Sequence, residues 1–384
     1  MVKMTHRERV MCAINHQKSD RVPIDVGACF TSSIAKNAYQ NLIKYLGIDT
    51  DTLIIRKWAN VVKPDEKVLE YFDIDTRMVV PPSGENWNEY WKIFRQPDRS
   101  YIDEWGCTWK LPDSGVGNYF LSNHVLNKAE SAADVFNHKW PVDDDPARYA
   151  GLKEKARNLK EDTDYAVIGI MPRPIVSQSQ FLRGYDKWFL DIMLNPDLFT
   201  AMLDCIVEVD LAIGGKILDE VGKYVDCMFV HDDIATQQNL MFSPEHYRQF
   251  IKPRHKKIFD LIKSKSDAKI IYHTDGAVFD ILDDLIEIGV DVLNPVQTSA
   301  VGMDPVRLNE KYGQKLAFWG AVESQEILPR GSVEEVREEV RRQINSLGCN
   351  GNYILGGCHN IQDDVPPQNV IAMFDSAKEL GRYS

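Results

Sequence analysis

Eight short apolar runs constrain this chain more than any other feature. They are Val22 to Ala28, Met78 to Pro81, Tyr165 to Met171, Cys227 to Val230, Lys269 to Tyr272, Val292 to Val296, Leu316 to Val322 and Tyr353 to Gly357. Each is followed by a polar cluster and then a stretch of helical period. A strand buried on both faces reads as a continuous apolar run, because both sets of alternating side chains point into packed layers. Helices between such runs carry the chain back to begin the next strand in the same direction. Eight such units predict a (β/α)8 barrel, one domain over all 384 residues.

The intervening helices carry start and stop signals. Ser243-Pro244-Glu245 suits an N-cap followed by a first turn. Ser332-Val333-Glu334-Glu335 reads as a capping box opening a helix that ends at Gly348, and Gly289 stops the helix Asp280 to Ile288. One region breaks the alternation. From about 83 to 112 the chain is aromatic and turn-rich, which predicts an inserted β-hairpin that is either a lid on the mouth or a packing element.

Composition narrows the function. The net charge of −12 and the absence of a long basic run argue against a nucleic-acid groove. No stretch of eighteen apolar residues is present to span a membrane, and the charged N-terminal residues lack an apolar signal core. Seven cysteines, none spaced Cys-x-x-Cys, fit free thiols in a reducing cytoplasm, the expected location. There is no Gly-x-Ser-x-Gly elbow, no phosphate-binding Walker loop and no Gly-x-Gly-x-x-Gly after a strand.

Barrel chemistry gathers at the C-terminal ends of strands. Four ends here are polar: His231-Asp232-Asp233, His273-Thr274-Asp275-Gly276, Glu323, and Cys358-His359-Asn360; Arg173 adds a candidate anion-binding group at another. Imidazole, carboxylate and thiolate converging on one rim are what a zinc site requires. Each group also has a plainer reading. A strand-end histidine commonly just hydrogen-bonds, Asp232 and Asp233 can cap a loop, and Cys358 can be a small buried residue. His246 and His255 read as helix-surface or packing residues.

These segments resemble the uroporphyrinogen decarboxylase superfamily. The resemblance rests on His231 to Gln237, Phe242-Ser243-Pro244-Glu245, Ile251-Lys252-Pro253, Tyr272 to Gly276, Leu293 to Gln297, and His359 to Gln362 before Val365-Pro366-Pro367. It covers most of the chain from about 165 onward, with Arg21-Val22-Pro23-Ile24 also similar. The superfamily's tetrapyrrole decarboxylases carry Met-Arg-Gln-Ala-Gly-Arg after the first strand. This chain has Val26-Gly27-Ala28-Cys29-Phe30-Thr31 there, without the arginines. The resemblance therefore implies the other branch, methyltransferases that use zinc and exchange a methyl group with a corrinoid-carrying protein.

Coenzyme M methyltransferases of that branch use His-x-Cys and a later Cys. The matching positions here are His273, Asp275 and His359, with Cys358 beside the last. A set without thiolate suits polarising an ether oxygen better than activating a thiol. The O-demethylase methyltransferases of acetogens show Glu-x14-Glu-x20-His, which Glu323, Glu338 and His359 satisfy. Glu338, however, falls almost opposite the apolar face Val333, Val336, Val340, Ile344 and Leu347 of its helix, toward solvent.

The expected metal ligands are thus His273, Asp275, Glu323 and His359, with Glu338 and Cys358 second. His231, Asp232, His273 and Arg173 are the expected catalytic groups. The implied reaction moves a methyl group from a methoxylated aromatic to the Co(I) corrinoid of a transient partner protein. The alternatives are another donor such as a thioether or amine, a decarboxylase, and a non-catalytic barrel that binds the corrinoid protein. A homodimer is compatible with the sequence.

Overall fold

The computed structural model describes residues 3–56, 59–79, 94–96, 98–113, 119–141, 145–172 and 174–383. Among the described residues, fourteen strands form three sheets. Three short strands, β1 (Ile34–Ala35), β2 (Leu53–Arg56) and β3 (Val61–Lys63), make a small antiparallel sheet in the order β1-β3-β2. Strand β4 (Thr76–Met78) belongs to the main sheet. The strands β5 (Phe94–Arg95), β6 (Tyr101–Ile102), β7 (Thr108–Lys110) and β8 (Phe120–Asn123) form a four-stranded antiparallel sheet. Strands β5 to β7 fall within the region 83 to 112, but the four-stranded sheet they belong to is not the single hairpin expected there. Residues 83–93 lie outside the described residues, and the antiparallel pairing runs on to Asn123, past the expected boundary.

The main sheet holds seven parallel strands in the order β14-β13-β12-β11-β10-β9-β4. The remaining strands are β9 (Ala166–Ile170), β10 (Cys227–His231), β11 (Lys269–His273), β12 (Val292–Asn294), β13 (Ala317–Val322) and β14 (Tyr353–Gly357). All residues of β9, β10, β12 and β13 are buried, the both-faced burial that gives parallel strands their apolar runs.

The run Val22 to Ala28 does not form a laddered strand. It makes a single parallel bridge, Ile24 to Leu355. Pro23 has no N–H to donate, and the Ile24 N–H goes to the Asp75 carboxylate at 2.7 Å. The segment still spans the two edges of the curled sheet. Asp25 N–H donates to Leu355 O at 2.8 Å on the β14 side, and Asp75 N–H to Ile24 O at 3.0 Å on the β4 side.

Parallel register sets the level of the strand ends. His231 pairs with His273, and His273 with Asn294, so three polar residues stand side by side at one rim. Helices follow the strands. Those that matter below are α1 (Ile175–Arg183), α2 (Tyr185–Leu194), α3 (Pro196–Val221), α4 (Lys252–Lys265) and α5 (Val333–Leu347). Among the described residues no helix is long and apolar enough to cross a membrane.

Candidate metal centre at the strand ends

His273 ends β11 with its side chain buried. Its Nδ1 lies 2.7 Å from Asn294 Oδ1 on the next strand and 3.2 Å from Thr31 Oγ1. An amide oxygen only accepts, so Nδ1 carries the proton and donates, and the Nε2 lone pair is left open. This is the arrangement that orients a ligating imidazole. Nε2 faces Asp275 Oδ2 at 3.8 Å.

Asp275 sits two residues beyond the strand end. Its N–H donates to Asp233 Oδ1 at 3.3 Å, which fixes the turn. Gly276 follows with φ +96°, and a Cβ there would meet Thr236 O at 2.5 Å. Only glycine lets the two loops approach this closely.

His359 comes just after β14, and its Nε2 is also 3.8 Å from Asp275 Oδ2. Burial holds its imidazole below the usual histidine range; Asp275 opposes that shift and His273 adds to it. The imidazole therefore stays neutral at physiological pH, as a ligand must. One donor atom each from His273, Asp275 and His359 lie within 4.8 Å of one another. Separations of 3.8 Å are a few tenths of an ångström wider than the roughly 3.3 Å between ligand atoms around zinc at 2.0–2.1 Å. Two imidazoles and a carboxylate are donors zinc accepts, and the trio, within 4.8 Å, would have to draw together by roughly half an ångström or more to hold it.

Exposure grades across the trio. The His273 side chain is 3% exposed, whereas Asp275 and His359 are 33% and 38% exposed. The latter two open on a cavity of about 730 Å³ that Glu323 and Cys358 also line.

Glu323 is not brought into the trio. Its Oε1 accepts from Gln325 N at 2.8 Å, and its Oε2 accepts from Glu326 N at 2.7 Å and Ile327 N at 2.8 Å. The carboxylate is curled onto the next helical turn, where unpaired N–H groups attract an anion. Glu338 points to solvent on α5 and pairs with Arg341. The buried acid of that helix is Glu339, which accepts from Gln343 Nε2 at 2.7 Å and from Glu323 N at 3.3 Å. Cys358 is buried, and desolvation first, then Asp275, Glu323 and Glu339, push its thiol well up. It stays protonated and outside the trio.

The expected catalytic groups divide. His231 is buried in an aromatic wall, with Phe30 edge-on at 5.0 Å and Phe229 stacked at 6.0 Å. Asp232 does not face the cavity. Its carboxylate accepts the N–H groups of Ile175 at 3.0 Å, Val176 at 2.9 Å and Ser177 at 3.2 Å, at the start of α1. The N-cap residue of α1 is Pro174, which has no side-chain acceptor, so the cap comes from this neighbouring strand end. His255 on α4 holds the same carboxylate through Nε2 at 2.9 Å. It is a core residue, not a helix-surface one. Arg173 lies outside the described residues.

Sequence reasoning missed Thr31 and Asn294 as supports of His273, Glu339, and Arg56, whose guanidinium lies 4.3 Å from the Phe30 ring centre. A polar residue ending an apolar run, as Asn294 does, is the signal that could have found one of them.

Fold and site together define an α/β protein with a curled parallel sheet and a candidate metal centre at the C-terminal strand ends. Residues 106–380 match the family model for uroporphyrinogen decarboxylase (URO-D), and the chain belongs to that family. Uroporphyrinogen decarboxylase of Prochlorococcus marinus (strain MIT 9515) is 22% identical over 281 residues, covering 70% of this chain and 76% of that protein. The Legionella pneumophila (strain Corby) uroporphyrinogen decarboxylase is 21% identical over 282 residues, with 70% and 76% covered. Among solved structures, a methyltransferase from Methanosarcina mazei superposes with a TM-score of 0.65 over 98% of this chain and 99% of that one, at 19% identity. That likeness is one of fold.

Proposed function

We propose that this chain is a zinc-dependent methyltransferase that transfers the methyl group of a methoxylated aromatic to the Co(I) corrinoid of a separate carrier protein. The observation that carries the reading is the thiolate-free trio His273, Asp275 and His359, of which Asp275 and His359 open on the cavity. The Methanosarcina neighbour, a methyltransferase by name, supports it.

In the reaction Co(I) supplies an electron pair to the methyl carbon, the carbon–oxygen bond breaks, and the aryl oxygen leaves with its pair as phenolate. Zinc bound at the trio would supply Lewis acidity toward that oxygen. The chain's own residues do the rest. Asn294 and Thr31 hold the His273 ring. Phe30, Phe229 and His231 form a buried aromatic wall packed beside His273, with Phe229 5.5 Å from its ring. Cys358 remains a thiol and does not compete as a nucleophile.

Decarboxylation of a polycarboxylate fits the site less well. The described cavity lining contains no lysine or arginine, and it includes Asp275, Glu323, Asp363 and Asp364. Such a field repels a polyanion. The same acidity favours a second reading, a cationic methyl donor such as a methylated amine.

The test combines metal analysis with spectra of a reduced corrinoid protein mixed with this chain and methoxylated aromatics or methylated amines. Conversion of Co(I) to methyl-Co(III) that requires both the chain and a methoxylated aromatic is the expected result. Demethylation with no corrinoid present would overturn the proposal, and methylation with amines alone would replace the donor.

A further inference from the structure

Two lysines stand without partners in a second cavity, separate from the strand-end trio. It holds about 440 Å³ and, among the described residues, shares no lining residue with the cavity beside Asp275 and His359. Lys63 ends β3, Lys155 lies on the helix Leu152–Asp162, and both are partly buried. Neither ammonium group has a hydrogen bond or an ion pair among the described residues. Burial first, then Lys155, hold the Lys63 amine below the ordinary lysine range, while Glu66 and Asp65 oppose that shift. The neighbouring carboxylates are engaged elsewhere. Arg77 Nε donates to both oxygens of Glu66, at 2.9 and 3.0 Å, and Arg77 Nη1 is taken up by Ile74 O and Thr76 O. Asp65 Oδ1 accepts from Lys67 N at 3.0 Å, at the start of the helix Glu66–Tyr71. Asp51 is exposed. Leu53, Pro64, Leu69, Met78 and Leu159 make up the apolar wall.

We propose that this cavity binds a small monocarboxylate with an apolar body, its carboxylate between Lys63 and Lys155 and its carbon skeleton along Leu53, Leu69, Met78 and Leu159. The charges and the lining select that ligand. Two partly desolvated cations within each other's field oppose one another, and an anion between them replaces that repulsion with charge-assisted hydrogen bonds. The volume falls within the roughly 300–1,000 Å³ of small-molecule sites, which pair an apolar wall with a few placed polar groups. Glu66, Asp65 and Asp51 also line the cavity, so a ligand with two or more negative charges meets repulsion there. The frame around Lys63 is fixed. Its strand is the middle one of the small sheet, with Lys63 opposite Leu53. Gly27, at φ +86°, lets its loop close on Pro64, where a Cβ would come within 3.0 Å of Cδ. Asp65 N donates to Tyr39 Oη at 2.9 Å. None of this depends on the methyl-transfer reading.

The test is calorimetric titration of the full chain with hexanoate. Saturable binding with a Kd of about 1 mM or tighter is expected. Acetate, which lacks most of the apolar body, should bind at least roughly 10-fold more weakly. Lys63→Met and Lys155→Met keep apolar stems without the charge and should each weaken hexanoate by at least roughly 10-fold. Lys63→Arg should restore binding, and Lys311→Met, at an exposed lysine outside this cavity, should leave it unchanged. Unchanged melting temperatures would show that the variants fold. Inorganic phosphate should not displace hexanoate. No saturable binding up to about 20 mM, or binding that survives Lys63→Met, overturns the proposal. So does displacement by phosphate as effective as that by hexanoate itself. Binding lost in His359→Ala but kept in Lys63→Met would also overturn it, since hexanoate would then sit at the strand-end cavity.

Discussion

Replacing Asp232 by Asn separates a structural carboxylate from a catalytic one. Both oxygens of Asp232 face the start of α1. Oδ2 accepts from Ile175 and Val176, Oδ1 from Val176 and Ser177, and Oδ2 also meets His255. An amide group in place of either oxygen turns N–H hydrogens toward backbone N–H groups, so at least one buried donor is orphaned, at about 1–3 kcal/mol. Loss of the charge at the helix start adds up to about 2 kcal/mol in a buried geometry. A total near 3 kcal/mol is expected. At about 2.1 cal/mol/K per residue, a chain of 384 residues unfolds with an entropy of roughly 0.8 kcal/mol/K, so the melting temperature should fall by about 4 °C. Calorimetry measures this directly, and metal content and KM for the methyl donor should stay at wild-type values. A variant with an unchanged melting temperature and a raised KM would refute the reasoning and place Asp232 on the substrate.

Three further outcomes follow from the same geometry. His359→Ala should lose most of about one bound zinc per chain while Cys358→Ser keeps it, by elemental analysis; full metal in His359→Ala would place the site elsewhere. Asn294→Leu should weaken metal binding about 10–100-fold in a chelator competition, and Asn294→Asp should restore it, because either side-chain oxygen can accept the His273 Nδ1 proton. Burial raises the Asp25 carboxyl to about 6, against hydrogen bonds from Thr76, Ser32, Trp319 and Ala28. Its folded value lies above the unfolded one, so its contribution is complete below about pH 4 and lost as pH rises through 6, on the order of 3 kcal/mol in all. Denaturant unfolding at pH 5 and 7.5 should show the remaining part of that loss, about 1.4 kcal/mol for the one pH unit between 5 and 6, in wild type and not in Asp25→Asn; equal stability changes in the two would count against a protonated Asp25.

What the sequence makes legible follows from which forces are local. Both-face burial writes itself into β9 through β14 as apolar runs, and the parallel register then carries the strand-end residues to one level. His273, Asp275 and His359 can be marked in advance because their positions depend only on that register. Helical period alone separates Glu338 from the core. The same period would have placed Glu339 between Val336, Val340 and Gln343 on the buried face. The fate of Asp232 depends instead on Pro174 leaving α1 uncapped and on α1 starting beside β10, a tertiary fact. His255 turns inward for the same reason, to reach that carboxylate from α4. The first apolar run looks like its seven fellows, yet Pro23 and the Asp75 side chain take away the ladder. The antiparallel sheet ends in Phe120–Asn123, a strand too short and too exposed to announce itself.

Glu323 shows how a backbone can decide a ligand set. Two imidazoles and one carboxylate bring a single negative charge to a dication, and a second carboxylate would neutralise it. A neutral centre draws less electron density from an ether oxygen than one that keeps a net positive charge. The three N–H groups of Gln325, Glu326 and Ile327 hold Glu323 away from the trio. Pulling its carboxylate over would orphan those donors at about 1–3 kcal/mol each wherever water cannot replace it. A zinc ion held by the trio would thereby keep a position free for whatever enters the cavity, as a catalytic rather than a structural site requires. Glu323→Gln should therefore cost stability, because an amide nitrogen cannot accept from the turn, while metal content and metal affinity remain those of wild type. Parallel melting curves and chelator titrations read the two quantities separately. A Glu323→Gln protein that melts normally but loses its metal would put Glu323 back among the ligands.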